Sequence, residues 1–255
     1  TEVIVMVFPT ASVIVTGSTG SNSGVISFST SGVASDINDF GDSADWEDAS
    51  FVDELLDSNL ELDSIYSIEN KYEEYSCFFK ISTEQLSMIS NLKTPNNVVA
   101  VFKIPKLRDI DFSKNIIALE NISDPGNLGS IIRLCDWFGI EDLICSLDSV
   151  DCYNPKVIQA TMGSISRVNI TYFNFKSLIK KSKNLVLADL NGTTIKNYNF
   201  KKNQIIFFGN ESEGISNHLK KVVTDSITIK KYGDKINSLN VANSVAIVLS
   251  HLKNW

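Results

Sequence analysis

The chain has 255 residues, 43% of them hydrophobic and 21% charged, which is the composition of a soluble globular protein with room for one large or two small domains. No apolar run approaches ~20 residues, so no transmembrane helix is expected. The apolar start "TEVIVMVFPTASVIV" has no basic residue ahead of it and is broken by Pro9, which is not the pattern of a secretory leader. The net charge of −7 is unevenly spread: residues 1–70 carry 13 acids and no Lys or Arg, so the remainder is mildly basic. A basic body fits a polyanionic partner.

Residues 1–35 are rich in Ser, Thr, Gly and Val, with short strands expected at 3–8 and 11–16, and "SDINDFGDSADWEDAS" follows as an acidic, turn-rich stretch. Val52, Leu55 and Leu56 form a helical stripe that ends at Ser58-Asn59, and a strand follows. "KISTEQLSMISNL" reads as a helix capped by Ser82 or Thr83, and "NNVVAVFKI" reads as a strand. Pro105 and the polar "KLRDIDFSKN" read as a linker into a new unit.

From residue 116 strands alternate with helices. Strands are expected at 116–121, 143–147, 168–173, 185–190, 205–209 and 226–230, and helices near 128–138, 155–162, 175–182, 215–222 and 240–253. The last helix is marked by Val241, Val245, Val248 and Leu252. The alternation predicts an α/β domain with a mostly parallel sheet, in which ligands bind beyond the carboxyl ends of the strands.

Cys77, Cys135, Cys145 and Cys152 make no C-x-x-C pair, and His218 and His251 lie far from them in sequence. No metal site is expected, and the thiols read as free in a reducing cytoplasm. "VIVTGSTGSNSGV" (13–25) is glycine-rich, but Gly17, Gly20 and Gly24 miss the G-x-G-x-x-G spacing and no P-loop lysine follows, so it reads as a loop.

Three further stretches carry chemistry. In "PGNLGSIIRLCDWFG" (125–139), Asn127 suits an N-cap and Gly139 a C′ position, with Ile131, Leu134, Cys135 and Phe138 as the buried face. Taken alone, Arg133 reads as a surface cation paired with Asp136 at i+3. "IIFFGNESEGIS" (205–216) is a strand running into a loop bracketed by Gly209 and Gly214, where backbone N–H groups meet a ligand closely. In "SITIKKYGDKINSLNVANSVAIVL" (226–249), Ser238 and Asn240 sit at a loop-to-helix junction.

Together these stretches resemble the SpoU (TrmH) family of RNA ribose 2′-O-methyltransferases, within the SPOUT superfamily. Asn127, Gly129 and Arg133 look like its N-x-G-x-x-x-R motif. Gly209, Glu211 and Gly214 look like its G-x-E-x-x-G motif, and Ser238, Leu239, Asn240 and Val241 look like its S-L-N-V motif. "NPKVIQATMGSISRV" (154–168) resembles a segment typical of the family between the first two. Thr228, Ala242 and Gln159 depart from the common proline, serine and arginine at those places.

The resemblance implies a C-terminal SPOUT α/β domain with a deep trefoil knot and a mostly parallel sheet, preceded by a small α/β substrate-binding domain. It implies S-adenosylmethionine as cofactor, contacted by Gly209, Ile227, Ile229 and Leu239. It implies a homodimer through the knotted domain, no metal, and tRNA or rRNA as partner. Arg133 is then the catalytic arginine, either as general base or as the holder of the neighbouring phosphate, with Asn127, Glu211, Ser238 and Asn240 orienting it and the loops. The implied organisation is a methyltransferase domain over 115–255, a linker over 106–114 and a small RNA substrate-binding domain over 51–105. Residues 1–50 have no assignment of their own and group with that small domain. The alternative function is a SPOUT-like RNA-binding protein that has lost catalysis, against which stand Asn127, Arg133, Glu211, Ser238 and Asn240. A nucleotide-dependent oxidoreductase would rest on 13–25, whose fingerprint is broken.

Overall fold

The computed structural model describes residues 3–8, 12–16, 49–89, 97–210, 212–236 and 238–253, the first two segments and residues 49–51 by their backbone alone. Gly17, Gly20 and Gly24 of the glycine-rich segment and the acidic stretch up to Glu47 lie outside the described residues. The chain divides into two compact units, Thr1–Pro105 and Lys106–Trp255.

The first unit is built on β1 (Val3–Phe8), β2 (Ser12–Thr16), β3 (Leu62–Ser67), β4 (Phe78–Lys80) and β5 (Val98–Lys103), in the sheet order β2-β1-β5-β3-β4. All pairs are antiparallel except β3 with β4. The two expected N-terminal strands are therefore part of this sheet, with Val3 opposite Lys103 and Phe8 opposite Val98. β5 is buried at every residue from Val98 to Phe102, as a central strand covered on both faces should be. Helices α1 (Ala49–Leu56) and α2 (Thr83–Ile89) supply Val52, Leu55 and Leu86 to the core. Ser82 caps α2: its Oγ accepts from Gln85 N, and Gln85 Oε1 accepts from Ser82 N, a reciprocal capping box.

The second unit runs β6 (Ile116–Leu119), α3 (Pro125–Trp137), β7 (Asp142–Ser146), α4 (Pro155–Thr161), β8 (Asn169–Phe173), α5 (Phe175–Leu178), β9 (Leu185–Thr194), β10 (Ile205–Phe208), α6 (Asn217–Val222), β11 (Ser226–Thr228) and α7 (Val241–Leu252). The sheet order is β11-β9-β10-β6-β7-β8, and every neighbouring pair is parallel. The chain lays β7 and β8 on one side of β6 and β10 on the other, so the order reverses between β6 and β10. Their carboxyl ends form the crevice where such sheets bind ligands. Ile116, Ala118, Ile205 and Phe207 pack with Phe175, Leu178 and Leu219 on one face, and the alternate residues Ile117, Leu119 and Ile206 are buried as well. A sheet buried on both faces explains why these strands read as continuous apolar runs.

Four local expectations change. The N-cap of α3 is Asp124, whose Oδ1 accepts from Asn127 N at 2.7 Å, because Pro125 occupies the first helical position and needs no donor partner. Asn127 is thereby released from capping. α5 is a single turn. β9 continues to Thr194, but its pairing with β11 jumps from Leu187 to Thr193, so residues 188–192 bulge out of the ladder. Residues 106–114, read as a linker, belong to the second unit: Arg108 N donates to Asn169 Oδ1 and Asp111 N to Asp142 Oδ2. The buried Asp142 and Asn169 are themselves joined at 2.7 Å.

Gly139 lies at φ 61°, the left-handed conformation of a helix C′ residue. Gly129 has a different reason: a Cβ there would fall 2.4 Å from Ala160 Cβ and 2.6 Å from Val157 O, so α3 and α4 meet through the missing side chain. In α7 the stripe Val241, Val245, Val248 and Leu252 is buried. Among the described residues no helix is long and apolar enough to cross a membrane.

All four cysteines are free, and Cys135, Cys145 and Cys152 are buried. Burial pushes each of these three thiols up, Cys152 to about 12. Since the thiolate is the reactive form, iodoacetamide at pH 8 is expected to label the half-buried Cys77 in the native protein and leave the other three unmodified until denaturant is added. Peptide mass mapping checks this, and labelling of Cys135 in the native state would contradict the packing.

Candidate active site

The loop after β10 is fixed by backbone geometry. A Cβ on Gly209 would lie 2.2 Å from Gly214 C and 2.4 Å from Ile215 N, so the two limbs of the loop touch where only glycine fits. Asn210 fastens it: Oδ1 accepts from Ser212 N at 2.8 Å and Glu213 N at 3.2 Å, and Nδ2 donates to Asn121 O at 2.8 Å. Glu120 Oε2 accepts from Ser216 N at 2.8 Å. The loop is thus tied at both ends to the turn after β6, across the switch point. Glu211 lies outside the described residues.

The third stretch joins the first. Asn240 caps α7, its Oδ1 accepting from Asn243 N, and its Nδ2 donates to Asn127 Oδ1 at 2.8 Å. Two residues 113 apart in sequence are so brought side by side.

A cavity of about 1000 Å³ opens at the carboxyl ends of β9, β10 and β11. Gly209, Ile227, Ile229, Ser238 and Leu239 line it, and so do Asp189, Leu190, Lys220 and Ile236. Leu190, Ile236 and Leu239 are 70%, 73% and 46% exposed, so three large apolar side chains stand unpacked around one opening. Asp189 pairs with Lys220 at 2.5 Å. Burial pushes the Asp189 carboxyl up, but the Lys220 ammonium and the Asn191 N–H outweigh it and hold the group below its ordinary value. A second cavity, about 380 Å³, lies at the carboxyl ends of β6, β7 and β8, and Asn210, Glu213 and Gly214 line both. The loop after β10 is the wall between them.

Arg133 is exposed on α3 and is not among the residues lining either cavity. Its expected partner is engaged elsewhere: Asp136 Oδ2 accepts from Arg167 Nε and Ser164 Oγ, each at 2.8 Å. Among the described residues none forms an ion pair with Arg133. Of the sequence-predicted positions, Gly209, Ile227, Ile229, Ser238 and Leu239 meet at the large cavity and Asn127 meets Asn240. The sequence reading missed Asp189, Lys220 and Asn210. The one signal for Asp189 was an acid at the end of the apolar run "LVLADLNG", followed by an Asn-Gly turn.

A family model described as the SpoU rRNA Methylase family matches residues 114–250. The 23S rRNA (guanosine(2553)-2'-O)-methyltransferase RlmP of Bacillus subtilis is 24% identical over 180 residues, covering 69% of this chain and 72% of that protein. The crystal structure of an rRNA methyltransferase from Sinorhizobium meliloti aligns with a TM-score of 0.70 at 25% identity, over 80% of this chain and 84% of that one. An AdoMet-bound structure of an rRNA methyltransferase from the same organism aligns with a TM-score of 0.68 at 22% identity, over 80% and 84% of the two chains.

The contact at Gly209 makes a test that needs no ligand. Gly209→Ala is expected to lose about 1–3 kcal/mol of stability through overpacking against backbone. It should also speed amide exchange at Gly214, whose N–H is held by Asn210 O. Gly233→Ala, where an added Cβ meets nothing within 4 Å, should stay within about 0.5 kcal/mol. Equal melting and exchange in the two variants would show that the loop does not close on Gly209.

Proposed function

Because the chain belongs to the SpoU rRNA Methylase family, we propose that it methylates a ribose 2′-hydroxyl in tRNA or rRNA with S-adenosylmethionine as donor. The observation that carries this reading is the meeting of the three motif-bearing stretches. Gly209 of the second lines one cavity with Ser238 and Leu239 of the third, and Asn240 of the third is bonded to Asn127 of the first.

The cavity fits the cofactor by the chemistry of its walls. The unpacked Leu190, Ile236 and Leu239 suit an adenine ring and a thioether chain, and the Asp189–Lys220 pair offers one group of each charge to the amino-acid end. Gly209, Ile227, Ile229 and Leu239 are the contacts proposed to hold it. When bound, S-adenosylmethionine supplies an activated sulfonium methyl group. The protein is left to align the ribose, assist removal of the hydroxyl proton and hold the adjacent phosphate. Arg133 is assigned the phosphate and the developing oxyanion charge, because a guanidinium is a strong, forked donor and a poor proton acceptor near neutral pH. Asn127, Glu211, Ser238 and Asn240 orient the loops around it.

The sheet order, with β11 outside β9 and the loops after β10 and β11 gathered at one cavity, supports the deep trefoil knot that the family implies. A homodimer through this domain is supported by Trp137, 82% exposed and one helical turn from Arg133. The first unit is proposed to bind the RNA substrate, and the free thiols fit a reducing cytoplasm.

With tritiated S-adenosylmethionine and total RNA, the wild type is expected to label RNA at ribose 2′-oxygens. Arg133→Ala should lose about 10²–10³ in kcat while calorimetry finds cofactor affinity within twofold, and Arg133→Lys should recover part of the loss by keeping a cation. A wild-type protein that binds RNA and the cofactor but labels no RNA would instead be the catalytically inactive RNA-binding form.

A further inference from the structure

The two units have opposite charge. The first contains four lysines and 16 acids, the second 19 basic residues and 14 acids. Of the first unit's lysines, Lys71 is paired with Asp53, Lys103 with Glu61, and Lys80 is bonded to Asn70. Little free positive charge is left there to attract a polyanion. The excess of the second unit lies in one stretch, residues 174–204, with seven lysines and a single acid, Asp189, already held by Lys220.

Five of these lysines lie on two neighbouring segments. Lys180, Lys181 and Lys183 lie in the segment leading into β9, and Lys201 and Lys202 in the segment leading into β10. The strands are parallel neighbours with Leu185 beside Ile205. The two lead-in segments are tied by Asn184 Nδ2 to Asn203 Oδ1 at 2.7 Å and by Ile205 N to Asn184 O at 2.9 Å. All five side chains are exposed, and among the described residues none is in an ion pair. On the neighbouring lead-ins, Asp225 before β11 accepts from Tyr198 Oη at 2.6 Å, and Asp111 before β6 accepts from Ser113 N at 2.9 Å and pairs with Lys114 at 3.8 Å. Like charges held together and outside any ion pair repel one another within a Debye length of ~8 Å, and a polyanion relieves that repulsion. This edge is the amino end of the sheet. The large cavity is at the carboxyl end, about 13 Å away along the four residues of β10.

We propose that the lysines at the amino ends of β9 and β10 are a second RNA-docking surface, which grips the phosphate backbone away from the reacting ribose. The proposal rests on the methyltransferase reading for its choice of RNA as the polyanion. It assigns to the second unit the electrostatic attraction that the acidic first unit lacks.

The test replaces Lys180, Lys181, Lys183, Lys201 and Lys202 together by Gln, and in a second variant by Arg. Binding of bulk tRNA and of an rRNA fragment is followed by fluorescence anisotropy from 50 to 200 mM salt. In the Gln variant the slope of log K against log salt should fall by about 2–4, since each lost phosphate contact removes ~0.7–0.9. KM for RNA should rise at least about tenfold, with kcat and cofactor affinity within twofold. The Arg variant should bind as the wild type does. An unchanged slope and KM in the Gln variant would overturn the proposal even if methyl transfer is normal. Binding of the wild type to phosphatidylserine vesicles but not to RNA would overturn it too. If the slope falls as expected while no variant or wild type transfers methyl groups, the docking surface stands and the enzymatic reading falls.

Discussion

The closeness of Gly209 to Gly214 is the constraint on which the rest of the site depends. A side chain at Gly209 would occupy the volume of the Gly214 carbonyl carbon, so the loop after β10 folds back on itself only with hydrogen at that position. The fold-back lets Asn210 satisfy two loop N–H groups and still reach Asn121 O. It also delivers Ser216 N to Glu120. Both tethers end on the turn after β6, which leads directly into the capped start of α3. A change in the loop is therefore transmitted to the helix that carries Asn127 and Arg133 through short, directional bonds. It also moves the wall common to both cavities.

The sequence made the sheet legible because its strands are buried on both faces, and such strands announce themselves as unbroken apolar runs from "IIALEN" to "SITIK". The C-terminal helix was legible for the complementary reason: one face is buried and the stripe repeats at helical spacing. The N-cap of α3 was misassigned because two residues in "DPGN" suit capping, and the deciding fact, Pro125 at the first helical position, favours the earlier one. The excursion at 188–192 was hidden because the bulge is defined only by the partner strand, while the Asn191-Gly192 signal ended the expected strand at 190. Asp189 and Lys220 were hidden for the same reason, since a pair 31 residues apart has no local signature. The site's motifs were legible by resemblance rather than by physics. No spacing rule would have placed Asn127 beside Asn240.

Charge divides the labour between the units. The first unit has 16 acids against four lysines, so in the proposed complex its contribution would rest more on shape and hydrogen bonding than on counterion release. In the proposed complex the lysine-rich amino edge of the second unit would supply the sequence-independent attraction instead. Its distance from the large cavity keeps it from competing with the charged groups there. A grip remote from the chemistry lowers KM without touching the transition state, whereas groups at the cavity must be judged by kcat.

That distinction bears on the arginine. An exposed guanidinium on α3, with Asp136 already claimed by Arg167 and Ser164, has no carboxylate among the described residues to satisfy it. It is thus available to an incoming phosphate. A general base must accept a proton near neutral pH, and a guanidinium is a donor with no acceptor to offer. Holding a phosphate requires only charge, two aligned N–H groups and a helix anchored at its start, and Asp124, Pro125 and the Asn127–Asn240 bond provide that anchor. In the proposed complex the phosphate would account for the fixed cation at the middle of an amphipathic helix, which forms no ion pair among the described residues.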